Sequence, residues 1–186
     1  MPEVNHCTME ELAKSLDHIL ASPADAGALR MIVRRPAVDQ RESLTGARLD
    51  IEEGLVGDNW KARGSRHMPD GAADPDMQLN IMNARVAEAV ARDPERMPLA
   101  GDQLYLDLDL SPENLPPGTK LALGDAVVEV TEPPHTGCKK FAARFGNDAI
   151  IFVNSGKGKK LNFRGINAKV VKSGDIRIGD IAHKIS

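Results

Sequence analysis

At 186 residues, with 41% apolar and 27% charged side chains, the chain is long enough to bury roughly two thirds of its unfolded surface in one core and needs no covalent staples. No apolar run approaches the roughly 20 residues that span a bilayer, the acidic start MPEVNHCTMEELAKSL lacks the form of a secretory signal, and two cysteines, Cys7 and Cys138, cannot make a disulfide framework. A single-domain cytoplasmic protein with reduced thiols and no membrane partner is expected, its core built mainly from aliphatic residues because only six are aromatic.

Thr8-x-x-Glu11 is a capping-box pattern, and Leu12, Leu16, Ile19 and Leu20 follow at helical spacing. The spacing predicts a helix over 8–21. ALRMIVRRP reads as a strand ended by Pro36, and the alternation Ala47, Leu49, Ile51 as another before the glycine-rich EEGLVGDNW. KARGSRHMPDGAADPD, 61–76, has breakers and no apolar period, which predicts a long exposed loop. MQLNIM is strand-like, Asn83 is placed to cap a helix NARVAEAVARD, and QLYLDLDL has the period-2 pattern of a strand with one buried face. The proline-rich SPENLPPG is a turn region, and TKLALGDAVVEVTE reads as a hairpin turning at Gly124-Asp125.

Beyond Pro133-Pro134, CKKFAARFG fits a short helix closed by Gly146, NDAIIFVNS suits helix or strand equally, and NSGKGKK reads as a polar loop. The tail NFRGINAKVVKSGDIRIGDIAHKIS reads as three strands separated by Gly174-Asp175 and Gly179-Asp180. Many short strands with few helices predict a mixed, β-rich fold, a β-barrel or closed sheet in one domain.

Charge is divided unevenly. Residues 1–132 hold 13 basic and 24 acidic side chains, while residues 133–186 hold 11 basic and 3 acidic. A basic segment of this kind concentrates anions, whether a phosphorylated cofactor or a carboxylate substrate, although a solvated basic face satisfies the same count. Nucleic acid is not expected as a partner.

The basic third opens on the stretch Glu129 to Phe141, EVTEPPHTGCKKF, the first candidate for chemistry. Cys138 stands where a strand gives way to a helix, and the helix start with Lys139 and Lys140 favours the thiolate, both a soft metal ligand and a nucleophile. An inert buried thiol is the plain alternative. His135, three residues earlier, is a candidate proton donor or second ligand. A Cys–His hydrolase would need a third group to orient the imidazole, and no sequence neighbour supplies it. Structural zinc requires four ligands, and GKGKK does not match a phosphate-binding loop. Arg164, beside a glycine, can grip a phosphate or carboxylate with both guanidinium arms. His67, Arg63 and Arg66 come over the site only if the long loop folds back.

GLVGDNW (54–60), ENL (113–115), LALGDAVVEVTEPPHTGCKKF (121–141) and RGINAKVVKSGDIRIGD (164–180) together resemble the MOSC domain, named for the C-terminal part of molybdenum cofactor sulfurases. The resemblance covers about residues 45–182, with 1–44 expected as an N-terminal helix and first strand packed on the same domain. It implies a barrel-like fold and a molybdenum-pterin cofactor handled through one cysteine, matched by Cys138, either as sulfur acceptor or as metal ligand in the reduction of N-hydroxylated compounds. It further implies that His135, Lys139, Asn114 and Arg164 hold the anionic cofactor or substrate, and that a molybdoenzyme or electron donor is the partner. Ser111-Pro112 precede Glu113 where the family often has glycine. Larger family members carry a pyridoxal phosphate desulfurase domain and the reductases an appended N-terminal barrel. Neither is evident here, and pyridoxal phosphate is not expected to bind. A non-enzymatic anion- or partner-binding module and a metal-free persulfide carrier are the alternatives.

Overall fold

The computed structural model describes residues 5–186; the first four residues of the expected N-terminal segment lie outside that range. Two short helices come first, α1 (Met9–Lys14) and α2 (Leu16–Leu20). Thr8 and Glu11 form the expected capping box, but the single helix expected over 8–21 is broken. Ser15 donates its N–H to Leu12 rather than one residue further back, which tightens the turn and redirects the chain. Leu12 and Ile19 still reach the core, while Leu20 is exposed.

The strands follow as β1 (Gly27–Arg34), β2 (Glu42–Leu44), β3 (Gly46–Asp50) and β4 (Gly54–Leu55). After α3 (Trp60–Arg63) come β5 (Leu79–Asn83), α4 (Ala84–Ala91) and β6 (Leu104–Asp107). The remainder is β7 (Lys120–Leu123), β8 (Ala126–Pro134), α5 (Lys139–Phe145), α6 (Asn147–Asn154), α7 (Gly156–Lys160), β9 (Ile166–Lys172), β10 (Gly174–Arg177) and β11 (Ile181–Ile185).

Seven of these strands close into a barrel in the order β1, β6, β5, β9, β8, β7, β11 and back to β1. Every neighbouring pair is antiparallel except β5 with β6. Closure leaves no open edge in the ring, and β2 and the small sheet β10-β3-β4 lie outside it. Side chains alternate across a strand, so Leu79 and Ile81 of β5, Leu104 and Leu106 of β6, and Val128 and Val130 of β8 all join one buried interior cluster. Leu49 and Ile176 of the small sheet belong to that cluster as well.

The opposite face of the same strands carries a second buried cluster. Val33, Met82 and Tyr105 lie there beneath Leu12, Val86, Phe141, Phe145 and Val153 from the helices. The expectation that QLYLDLDL has one buried face is therefore corrected: Tyr105, opposite in phase to Leu104 and Leu106, is fully buried and its hydroxyl donates to Met97 O at 3.1 Å.

Asn83 caps α4 as predicted, accepting from the N–H groups of Arg85 and Val86, and the hairpin turns at Gly124, whose φ is +55°. Two readings change. GKGKK is not a loop but the helical turn α7, because Gly158 is buried against the Phe152 carbonyl where any Cβ would collide. The final strands divide at Ser173, since Gly174 and Asp175 pair with Leu49 and Arg48 inside β10. The ambiguous NDAIIFVNS is helix, as α6. No helix among the described residues is long and apolar enough to cross a membrane.

Candidate functional site

At one end of the barrel the outer face turns polar. Asp58, in the segment GLVGDNW, is buried and accepts from Arg35 Nε at 2.9 Å and Arg35 Nη2 at 2.8 Å, and from the backbone N–H of Arg35 and of Trp60. Every lone-pair direction of that carboxylate is used, which is what a buried charge needs to be tolerated. Gly57 makes the approach possible: its φ is +84° and a Cβ would strike Arg34. The free arm of Arg35 donates to Asn80 Oδ1 at 3.1 Å and Gly101 O at 2.9 Å. Asn80 passes the chain on to Asn167 Oδ1 at 2.7 Å, and Asn167 to the Pro133 carbonyl at 2.9 Å. Asn80 and Asn167 are register partners on β5 and β9, so a line of hydrogen bonds ties the Gly-Asp segment to the prolines before Cys138.

A second buried unit lies alongside. Asp102, with no exposed surface, accepts both 2.9 Å and 2.7 Å bonds from Arg164 Nη1 and lies 2.9 Å from His135 Nε2. Arg164 Nη2 donates to Ala100 O, and the guanidinium lies over the Phe141 ring at 4.9 Å, a stacking contact that also holds its plane. Burial is the largest single influence on Asp102 and opposes its ionisation, but Arg164 and His135 together outweigh it and hold the carboxyl below the usual range. Burial, then the Arg164 charge, pushes His135 below its ordinary value of 6.5 despite the pull of Asp102. Both effects favour the neutral ring over the imidazolium.

Cys138 is exposed and opens α5 as its N-cap, making no side-chain capping bond. The loop before it is held from α6: Asn154 accepts from Gly137 N–H at 2.8 Å and donates to its carbonyl at 3.0 Å. The thiol lines a cleft of about 250 Å³ whose wall includes six cations, Arg35, Arg41, Arg63, Lys140, Arg144 and Arg164, against the one carboxylate of Asp39. Asp39 is already bonded to Lys140 and Arg144. Arg41 Nε, Arg164 Nε and Asn59 Oδ1 are buried without partners, and Arg63 forms no ion pair among the described residues. Burial and the charges of Arg144 and Arg35 lower Arg41, while desolvation and Arg35 lower Arg63, as crowded cations require. Arg63, Asn80 and His135 are shared with a second cleft of about 790 Å³ walled by the 64–71 loop with Trp60, Arg66, His67, Met68 and Met77. The long loop thus folds back over the site, pinned where Trp60 Nε1 donates to Asp74 O at 3.2 Å.

The structure brings Cys138, His135 and Arg164 together and leaves two other candidates aside. Asn114 donates to Ala24 O and Asp109 O and accepts from Lys184 Nζ, bonds that occupy it as a brace for the ENL loop, and it does not line the cleft. Lys139 is exposed and lies outside the lining, where its neighbour Lys140 takes part. Sequence reasoning missed Asp102, Arg35, Asp58, Asn80 and Arg41. The polar Asn80 inside the apolar MQLNIM was the one visible signal, since an amide on a buried strand needs a partner. Among the described residues no group of three or more His, Cys, Asp or Glu side chains is placed to hold a metal ion.

No protein-family model matches the chain, and no curated protein matches its sequence. Solved structures do match its fold, a closed β-barrel with short helices. YiiM from Escherichia coli superposes with a TM-score of 0.54 at 21% identity, over 86% of this chain and 70% of that one. YuaD from Bacillus subtilis gives 0.57 at 14% identity, over 87% of this chain and 97% of that one. YiiM from Geobacillus stearothermophilus gives 0.52 at 12% identity, over 87% and 74%. At these identities the similarity is one of fold.

Proposed function

We propose that the cleft around Cys138 binds an anionic cofactor of the molybdenum-pterin type and that Cys138 is its single protein ligand. The observation that carries this reading is an exposed thiol in a wall of six cations with one carboxylate, itself already paired. The residues fit such a group in two respects. Unpaired or partly paired guanidiniums at Arg41 and Arg63 suit phosphate or another anion, and a lone cysteine sulfur suits a metal that arrives already held by an organic ligand, since the described residues offer no metal-binding cluster. When bound, the cofactor supplies a redox metal for oxygen-atom removal from N-hydroxylated compounds or an acceptor for sulfur transfer.

The chain's own work is to hold and orient. Asn154 fixes Gly137 and so the direction from which Cys138 presents its sulfur. Arg41, Arg63 and Arg144 draw the anion into the cleft, and His135 lines the same wall, with burial and Arg164 favouring its neutral form. Arg164 acts at one remove, because its Nη atoms are committed to Asp102 and Ala100. Two free cysteines suit a reducing, cytoplasmic setting, and a reductase would draw electrons from a partner protein.

Elemental analysis and cofactor extraction on protein from molybdate-supplied cells, beside a Cys138→Ser variant, test the reading. Molybdenum in stoichiometric amount in the wild type and its loss in the variant are expected. Cyanide-releasable sulfur without metal would instead make the protein a persulfide carrier, and neither metal nor labile sulfur would leave an anion-binding module.

A further inference from the structure

We infer that Asp102, pinned by Arg164, fixes His135 with its proton on Nε2 and its Nδ1 bare, so that the cleft selects an anion that itself carries a proton. This rests on reading the cleft as an anion site but not on molybdenum. Asp102 has no exposed surface, and its carboxylate accepts twice from Arg164 Nη1. A carboxylate so engaged is an acceptor only, so the hydrogen in its 2.9 Å contact with His135 must belong to Nε2. In a neutral imidazole that leaves Nδ1 as an acceptor. Among the described residues Nδ1 makes no hydrogen bond, yet it is not a buried orphan. The ring is 14% exposed and lines the Cys138 cleft, the cleft under the 64–71 loop, and a third of about 200 Å³ behind Gly165. A Cβ at Gly165 would press on His135 Cδ2 at 3.2 Å, so the glycine leaves the ring its place.

A bare nitrogen in a ring of cations discriminates by hydrogen rather than by charge. Hydrogen phosphate and sulfate share shape and a charge of about −2 at neutral pH, but only the former offers an O–H. That O–H can donate to Nδ1, whereas sulfate sets an oxygen lone pair against the nitrogen lone pair and leaves it unpaired. Asp102 and Arg164 are positioning residues here; of the three, only His135 touches the ligand.

Long-range proton–nitrogen correlation spectra of metal-free protein at pH 7.5 read the tautomer directly. The Nε2–H form is expected in the wild type, and an Nδ1–H form would overturn the inference without any variant. Titration calorimetry with inorganic phosphate and with sulfate should show phosphate bound about tenfold more tightly, with the preference lost in His135→Phe. In Asp102→Asn the amide can donate to Nε2, so the proton should move to Nδ1 and the preference vanish, a thermal melt first establishing that the variant is folded. Equal binding of both anions, binding of neither, or an unchanged tautomer in Asp102→Asn would each overturn it. Loss of molybdenum binding alone leaves every one of these readouts in force, so the cofactor proposal and this one fail separately.

Discussion

The outer face of the barrel is made of two unlike halves that share the same strands. On β5, Met82 is buried under helices, while Asn80 two residues earlier carries hydrogen bonds from Arg35 and to Asn167. Both positions point away from the interior cluster that holds Leu79 and Ile81. The difference lies in what covers each half: α1, α4, α5 and α6 bring apolar faces to one, and the 58–60 and 101–102 segments bring Asp58, Gly101 and Asp102 to the other. Strand alternation decides inside from outside, and the cover decides whether outside is greasy or charged. A fold of this type thus gains a polar site without disturbing its core.

Breaking the polar half should show the largest effect. Arg35→Ala strands Asp58, whose side chain has no exposed surface, as a buried charge without its partner; a loss of roughly 3–5 kcal/mol is expected in urea unfolding. Arg48→Ala, which removes an ion pair from two side chains more than half exposed, should cost no more than about 0.5 kcal/mol. A comparable loss from the two would mean that the Arg35 network is as dispensable as surface charge.

A matched pair of substitutions sharpens the contrast along one strand. Met82→Leu keeps volume and polarity in the apolar half and should cost less than about 1.5 kcal/mol. Asn80→Leu leaves Arg35 Nη1 with one acceptor fewer and Asn167 Oδ1 without its donor, and should cost about 1–3 kcal/mol. Equal costs would dissolve the distinction between the halves.

Acid reads the same half through His135. Its pKa is lowered on folding by burial and by Arg164, so the folded state binds this proton less readily than the unfolded chain. The stabilisation is complete above the unfolded value of 6.5 and is lost as pH falls from there through the lowered folded value. Wild-type unfolding free energy should therefore fall below pH 6.5 more steeply than that of His135→Phe; parallel curves would show that the ring titrates freely.

How much of this the chain declares beforehand depends on the range of the interaction. Local signals are reliable: Thr8 and Asn83 cap as their spacing predicts, Gly124 turns the hairpin, and Leu104, Leu106 and Leu108 face inward together. Glycine misleads in GKGKK, where close packing of Gly158 on Phe152 rather than flexibility is the reason for it. The cleft is harder still to foresee. Its cations Arg35, Arg41 and Arg63 come from the acidic part of the chain, whereas several lysines of the basic third are spent elsewhere, Lys169 on Asp76 and Glu129 and Lys184 on Asn114. Barrel closure places β1 beside β6, so Arg35 meets residues 66 positions away, and Asp102 meets His135 and Arg164 only in the folded chain. A charge count along the sequence measures none of that.

Arg63 gives the smallest expected effect on stability and the clearest separation of binding from folding. It lies on the wall common to both clefts, is exposed, and forms no ion pair among the described residues. Arg63→Gln should therefore shift unfolding by no more than about 0.5 kcal/mol. The same change removes a charged donor from the anion's path, and phosphate affinity should weaken about tenfold, the scale of one charge-assisted hydrogen bond. Lys139→Gln, a cation outside the lining, is the control and should leave both quantities unchanged. If Lys139→Gln weakens phosphate as much as Arg63→Gln, the anion is held by the general field of the basic segment and not by this cleft.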